Sequence, residues 1–308
     1  MLVSIIICTR NRANFLHDCL SAIAAAIRMV PNGTDDCEIV LVNNGSVDHT
    51  VSALESWSNS SPDIILRIVG EEKAGLSNAR NAGFASAKGY LLIWTDDDCH
   101  MDNQYIVTAL KFDANDSTPI IRGGRIELGD ENDLPLTIKT STTVERWSKA
   151  DKSARSKPLS GVISGANIVV RRSVVNLIGL CDVRLGAGVK IAGSEDTDYL
   201  CRAYTKGMII EYVPDLVVYH FHRRRTAEQG QKLLTNYNIG AGAIYIKHIF
   251  NDFDLFRPFI WNIKNALNEI KQSRNLYLPE YNLSYKKIIA LNIYGMFLYI
   301  RYLILNKF

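Results

Sequence analysis

Tyr90-Leu91-Leu92-Ile93-Trp94-Thr95-Asp96-Asp97-Asp98 joins an apolar run to three consecutive carboxylates. The run has the length of a buried strand, and it stops where the charges begin. Upstream, residues 2–8 form a second such run, mostly β-branched, and residues 38–42 and 64–69 form two more. Between them the apolar spacing becomes helical. Leu16, Cys19, Leu20, Ile23 and Ile27 follow the first run; Val51, Leu54 and Trp57 follow the second; residues 76–87 follow the third. Pro31-Asn32-Gly33, Asn43-Asn44-Gly45-Ser46 and Gly89 punctuate the pattern. Strands alternating with helices through short connections predict an α/β fold with a doubly wound, mostly parallel sheet. Ligands of such sheets sit beyond the carboxyl ends of the strands. Thr9 to Arg12, Asn43 to Asp48 and Asp96 to Asp98 all fall there.

Downstream, residues 120–127, 168–170 and 217–221 read as strands. Residues 194–204 read as a helix with an acidic first turn that Ser194 is placed to cap. Residues 128–158 are polar and weakly patterned, long enough for a functional loop or lid. From Thr226 onward the pattern turns helical, and no repeat is visible.

Composition narrows the classes. The 308 residues are 47% apolar and 22% charged, which is globular and large enough for two domains or one with an extension. The net charge of +3 is too near zero for a dedicated nucleic-acid binder. Cys8, Cys19, Cys37, Cys99, Cys181 and Cys201 form no C-x-x-C pair, so reduced and mostly buried thiols are expected. The first eight residues lack the basic segment of a signal peptide, which predicts a cytoplasmic protein.

Three clusters carry chemistry. Adjacent carboxylates repel one another unless a cation neutralises them, and hard oxygen ligands suit Mg²⁺ or Mn²⁺. In Gly193-Ser194-Glu195-Asp196-Thr197-Asp198 the acids serve either the helix dipole or, if one faces the site, proton transfer. If residues 218–222 are strand-like, His220 and His222 share one face, and a histidine at a strand end beside carboxylates can complete a cation site. The absence of G-x-G-x-x-G after the first strand disfavours a dinucleotide oxidoreductase. The absence of a P-loop motif and of G-x-S-x-G disfavours an NTPase and an α/β-hydrolase.

Taken in order, these segments resemble family 2 glycosyltransferases of the GT-A fold, of the bacterial surface-polysaccharide type. Ser4 to Arg12 resembles the family's opening strand and nucleotide loop, and Val42 to Asp48 the loop meeting base and ribose. Gly75 to Gly83 resembles the helix start near the nucleotide, and Trp94 to Asp98 the D-x-D motif. Ser164 to Asn167 followed by Arg171-Arg172 resembles the segment under the donor sugar. Leu185 to Gly188 with Gly193 to Asp196 resembles the acceptor loop and E-D motif, and Tyr219-His220 the strand whose histidine can ligate the metal. The likeness covers about residues 2–225. Asn43 stands where the family often has Asp. Arg146-Trp147 precedes Glu195 and lacks the rest of Q-x-x-R-W, so a non-processive enzyme is expected.

The resemblance implies an inverting, Mn²⁺- or Mg²⁺-dependent transfer from a nucleotide-diphosphate sugar, with UDP expected, to a glycan or lipid-linked glycan. Asp98, with Asp96 and His220, would hold the metal. Thr9, Arg10, Asn11, Asn44, Arg80, Asp96 and Asp97 would meet the nucleotide. Asp196, or else Glu195, would be the base. Residues 1–225 would be the catalytic domain, split near 127 into nucleotide and acceptor halves. The alternatives are a sugar-nucleotide pyrophosphorylase, which would want a glycine-rich basic loop that Asn11-Arg12-Ala13-Asn14 lacks, and a non-catalytic nucleotide-sugar-binding module.

Residues 226–308 read as a helical extension. Its apolar run 288–300, about 13 residues, is flanked by Lys286-Lys287, Arg301 and Lys307. That is short of the roughly 20 residues a span needs, and it suits a helix at the membrane interface, a packed helix or a homo-oligomer contact. A peripheral position on the inner face of the cell membrane is therefore expected.

Overall fold

Alternation along β1 (Val3–Thr9) sets the two layers of the molecule: Ile5 and Ile7 face one side, Ile6 the other, and all are fully buried. The structure is a computed structural model and describes residues 1–116, 118–151 and 159–305. The end of the 128–158 segment and the Lys307 flank lie outside the described residues.

After β1 come α1 (Ala13–Arg28), the single turn α2 (Gly33–Asp36), β2 (Cys37–Asn43), α3 (Thr50–Ser60), β3 (Ile65–Gly70) and α4 (Leu76–Ser86). Then follow β4 (Leu91–Asp96), β5 (Cys99–Met101) and α5 (Tyr105–Ala114). The helix periodicity read from the sequence is realised in α1, where Leu16, Cys19, Leu20, Ile23 and Ile27 are buried with Ile5 and Ile7. Ile6 joins Phe84 of α4 and Trp94 of β4 on the other face.

The second half holds β6 (Ile120–Leu128), β7 (Glu145–Trp147), β8 (Asn167–Arg171), α6 (Arg172–Ile178), α7 (Glu195–Thr205) and β9 (Ile209–His220). The helices α8 (Ala227–His248), α9 (Arg257–Gln272) and α10 (Tyr285–Leu305) end the chain. The sheet runs β3-β2-β1-β4-β8-β6-β9-β5, with β7 on β9. Its first four strands are parallel, as the alternation predicts. Beyond β4 it is mixed, because β8 runs antiparallel to both β4 and β6.

Three expectations change. The strand read over residues 217–221 is the end of a longer β9, whose register against β6 jumps from Gly124↔Val213 to Arg125↔Val217. Pro214-Asp215 occupies that irregularity, where the ladder needs no regular donor. Ser194 precedes α7 in the left-handed region (φ 64°) and its side chain caps nothing. α10 extends beyond the apolar run, through Arg301 to Leu305, making 21 residues and about 31 Å. By length and composition that suffices to cross a membrane, although Ile288, Asn292, Gly295, Leu298 and Tyr299 on one face are buried.

The extension is built onto the same core. Ala243 and Ile244 of α8 and Leu298 and Tyr299 of α10 pack in the cluster that contains Trp94 and Tyr199. Thr226 and Gln229 form a capping box at the start of α8. A Cβ on Gly240 would strike Ser194, so α8 lies directly against the residues that open α7.

Candidate active site

Strand register gathers the polar clusters. Thr9 pairs with Asn43 and Cys8 with Asp96, so the ends of β1, β2 and β4 lie side by side. Antiparallel β8 begins at that same end, with Asn167 opposite Thr95. Cys99 of β5 pairs with His220 of β9, and the Phe221 amide donates to the Asp98 carbonyl at 2.8 Å. The last residue of β9 thereby reaches the acidic triplet.

The three acids have different surroundings. Asp97 accepts from Thr9 Oγ1 at 2.7 Å and from Arg12 Nε at 3.2 Å. Burial pushes its pKa up to about 7, against the pull of Arg12. Asp98 is bound by Arg12 and lies 3.3 Å from His220 Nε2. Burial opposes its ionisation, but the hydrogen bond and charge of His220, and then Arg12, hold its pKa below the usual carboxylate range. For His220, burial works against the charged form and Asp98 prevails, raising its pKa. Thr137 Oγ1, in the loop after β6, lies 3.1 Å from His220 Nδ1 and fixes the ring from behind.

Among the described residues, Asp96, Asp98, Cys99 and His220 bring one donor atom each within 4.8 Å of one another. Burial holds the Cys99 thiol protonated, with its pKa well above the ordinary value. Two carboxylates and an imidazole remain, a donor set that fits Mn²⁺ or Mg²⁺.

Glu195 and Asp196, adjacent in sequence, face different partners. Glu195 is buried and accepts from Arg80 Nη1 at 2.7 Å. Desolvation raises its pKa, with Arg80 opposing. Asp196 is partly open; its Oδ2 accepts from the Gly165 amide at 2.8 Å and its Oδ1 from the Thr197 amide at 2.6 Å. A Cβ on Gly165 would lie 2.9 Å from Arg80 Nη2 and 3.0 Å from Asp196 Cβ, so only glycine lets β8's entry loop pass between them. Arg80, expected along the nucleotide, is 3% exposed and sits beneath the acids, with Asp96 at 3.5 Å. Its place is that of a cross-link between the D-x-D turn and α7.

The residues expected to form the nucleotide loop divide likewise. Arg10 is exposed and has no side-chain partner among the described residues. Asn11, also in the left-handed region, accepts from the Val47 amide at 2.8 Å and clips the β1 loop to the β2 loop. Asn44 is buried; its amide donates to the Glu71 and Lys73 carbonyls and accepts from the Gly75 amide. It pins the β3–α4 loop. Asn43 Oδ1 accepts from the Ser46 amide at 3.0 Å and closes its own turn.

Three residues here were not singled out in the sequence. Arg12 binds two of the triplet's acids, and its place one turn beyond a strand end was the available signal. Arg224 and Tyr237 face the same cluster: Arg224 acts electrostatically on His220 and Tyr237, and Tyr237 lies against Gly193. Nothing local in a basic run or a long helix marks either one.

A family model described as Glycosyl transferase family 2 matches residues 4–179. The glycosyltransferase AglE of Haloferax volcanii is 24% identical over 246 residues, covering 79% of this chain and 73% of that protein. The mannosyltransferase PcManGT of Pyrobaculum calidifontis, solved with GDP-Man and Mn²⁺, superposes with a TM-score of 0.57 at 18% identity, over 98% of this chain and 86% of its own. S. aureus TarS 1-349, solved with UDP-GlcNAc, gives 0.57 at 17% identity, over 88% and 78%. These likenesses establish the GT-A fold with a helical C-terminal part.

Proposed function

This chain belongs to glycosyl transferase family 2, and we propose that it moves one sugar at a time, with inversion, from a nucleotide-diphosphate sugar to a hydroxyl of a glycan or lipid-linked glycan. A UDP-sugar is the first donor to test, and bacterial surface polysaccharide the product class. The observation that carries this reading is the convergence of Asp96, Asp98 and His220 with Asp196 at one sheet edge. Solved relatives of the same fold bind UDP-GlcNAc or GDP-Man with Mn²⁺, which supports a nucleotide-sugar donor.

In this reading residues 1–225 form the catalytic domain and 226–308 its helical extension. Asp98, Asp96 and His220 would hold Mn²⁺ or Mg²⁺, which when bound supplies positive charge beside the diphosphate leaving group. Thr9, Arg10, Asn11 and Asp97 border base and ribose, and Asn44 holds their loop in place. Asp196 takes the acceptor's proton as the hydroxyl oxygen bonds to the anomeric carbon. The carbon–oxygen bond to phosphate breaks, and its electron pair leaves with the nucleoside diphosphate. One displacement inverts the centre. Without acceptor, the protein and Mn²⁺ are expected to hydrolyse slowly one member of a UDP-, GDP- and dTDP-sugar panel, and EDTA is expected to stop it. Binding with no turnover of any member would favour a binding module instead.

The extension supports a peripheral position on the cytoplasmic membrane face. Ile260, Ile263, Leu267 and Ile270 form an exposed stripe on α9, as do Ile293, Phe297, Ile300 and Ile304 on α10. The helices pack antiparallel, Asn262 donating to Asn292 at 3.3 Å and the Lys286 amide to Glu269. Lys264, Lys271, Lys286, Lys287 and Arg301 lie along them in sequence, which suits anionic lipid. Full-length protein should float with anionic vesicles, and a Phe297→Glu/Ile300→Glu variant should remain in solution while keeping donor hydrolysis. Unchanged flotation, with a dimer turned into a monomer, would assign the face to self-association.

A further inference from the structure

Tyr237 lies on α8, outside the segments that carry the transfer chemistry, yet it forms part of the site's wall. A Cβ built on Gly193 would lie 3.4 Å from its Cδ1, and Gly193 is three residues before Asp196. The close approach is enforced one turn later, where Gly240 leaves room for Ser194. Tyr237 is 42% exposed, and its hydroxyl makes no hydrogen bond among the described residues. Desolvation by its surroundings raises the hydroxyl's pKa. Of the charged groups that act on it, Asp196 acts most strongly, ahead of Arg224, Glu195 and Asp96. The group is therefore a protonated donor, on a ring that lies against Gly193, three residues before the partly open carboxylate of Asp196.

A base takes a proton only within hydrogen-bond reach, so whatever offers a hydroxyl to Asp196 must lie beside it. An aromatic ring presents a negative face, to which the polarised C–H face of a pyranose is complementary, and the tyrosine hydroxyl offers a hydrogen bond at the ring's edge. We infer that Tyr237 is an acceptor-binding residue, whose ring stacks on the pyranose that receives the new bond and whose hydroxyl donates to it. This rests on the transferase reading above and deepens it, for it names a residue that holds the receiving sugar.

The test uses full-length protein, UDP with Mn²⁺, and a panel of methyl pyranosides as acceptor probes. Saturation-transfer NMR should show wild type contacting at least one pyranoside through its ring protons. Tyr237→Ala should weaken that binding at least about tenfold, and Tyr237→Phe should retain most of it, since stacking is the larger part. UDP binding should be unchanged in both. Equal pyranoside binding by wild type and Tyr237→Ala would overturn the inference. So would parallel loss of UDP binding, which would place the ring at the donor, or no pyranoside binding by a wild type that binds UDP. A wild type that binds no nucleotide would instead remove the transferase reading beneath it. Because the ring is half open, melting temperature should hold in both variants, and a fall in Tyr237→Ala alone, together with lost UDP binding, would mark a structural role.

Discussion

Asp98→Ala is expected to lower turnover about a thousandfold or more and to abolish Mn²⁺ binding measured by electron paramagnetic resonance. Asp98 is buried, is bound by Arg12 and lies 3.3 Å from His220 Nε2, and these two neighbours hold its pKa below the usual carboxylate range. Removing it takes one anionic ligand from the cluster and takes from Arg12 one of its two buried carboxylate partners. A leaving diphosphate that loses such charge stabilisation loses several kcal/mol in the transition state, and about 1.4 kcal/mol is tenfold in rate. The same deletion should lower the melting temperature, because Arg12 loses a buried partner. Asp98→Asn separates the effects by keeping the shape and losing the charge. Wild-type turnover by either variant, or by wild type in EDTA, would reject the assignment.

Asp196→Asn is expected to bind UDP with Mn²⁺ as wild type does and to transfer sugar at least about a hundredfold more slowly, the scale of a lost general base. The amide keeps an oxygen for the Gly165 or Thr197 amide but no longer takes a proton. Glu195→Gln should act differently. Glu195 is buried on Arg80, so its substitution weakens the cross-link between α7 and the D-x-D turn and shows first as lost stability. Normal transfer by Asp196→Asn with a dead but well-folded Glu195→Gln would exchange the roles.

The residues that were legible in the sequence are those where one strong pattern ends and another begins. Thr9, Asn43 and Asp96 each terminate a buried apolar run, so their gathering at one edge follows from parallel pairing alone. Seven motifs in family order brought in Glu195, Asp196 and His220. Harder to read were contributions decided by tertiary contact. The first half of β9 was hidden because Pro214-Asp215 looks like a break until the irregularity opposite Gly124 accommodates it. Arg80 and Asn44 have the chemistry of ligand contacts, and only the partners they meet, 115 and 31 residues away, show them engaged inside the protein. Tyr237 carried no local signal, since its place depends on how closely α8 approaches Ser194.

The long reach of those contacts bears on how the chain acquires its site during folding. Thr9 meets Asp97 across 88 residues and Arg80 meets Glu195 across 115, while His220 closes the cluster from the last strand of the sheet. No short fragment is a precursor of the cluster. Loop-closure entropy rises only logarithmically with separation, so the toll on stability is modest and the toll on speed is larger. A chain emerging amino-terminus first can form β1 to β4 and neutralise part of the acidic triplet with Arg12 well before residue 220 is made. A cation held by Asp96, Asp98 and His220 would therefore be captured at the end of folding, when β9 has been laid between β6 and β5.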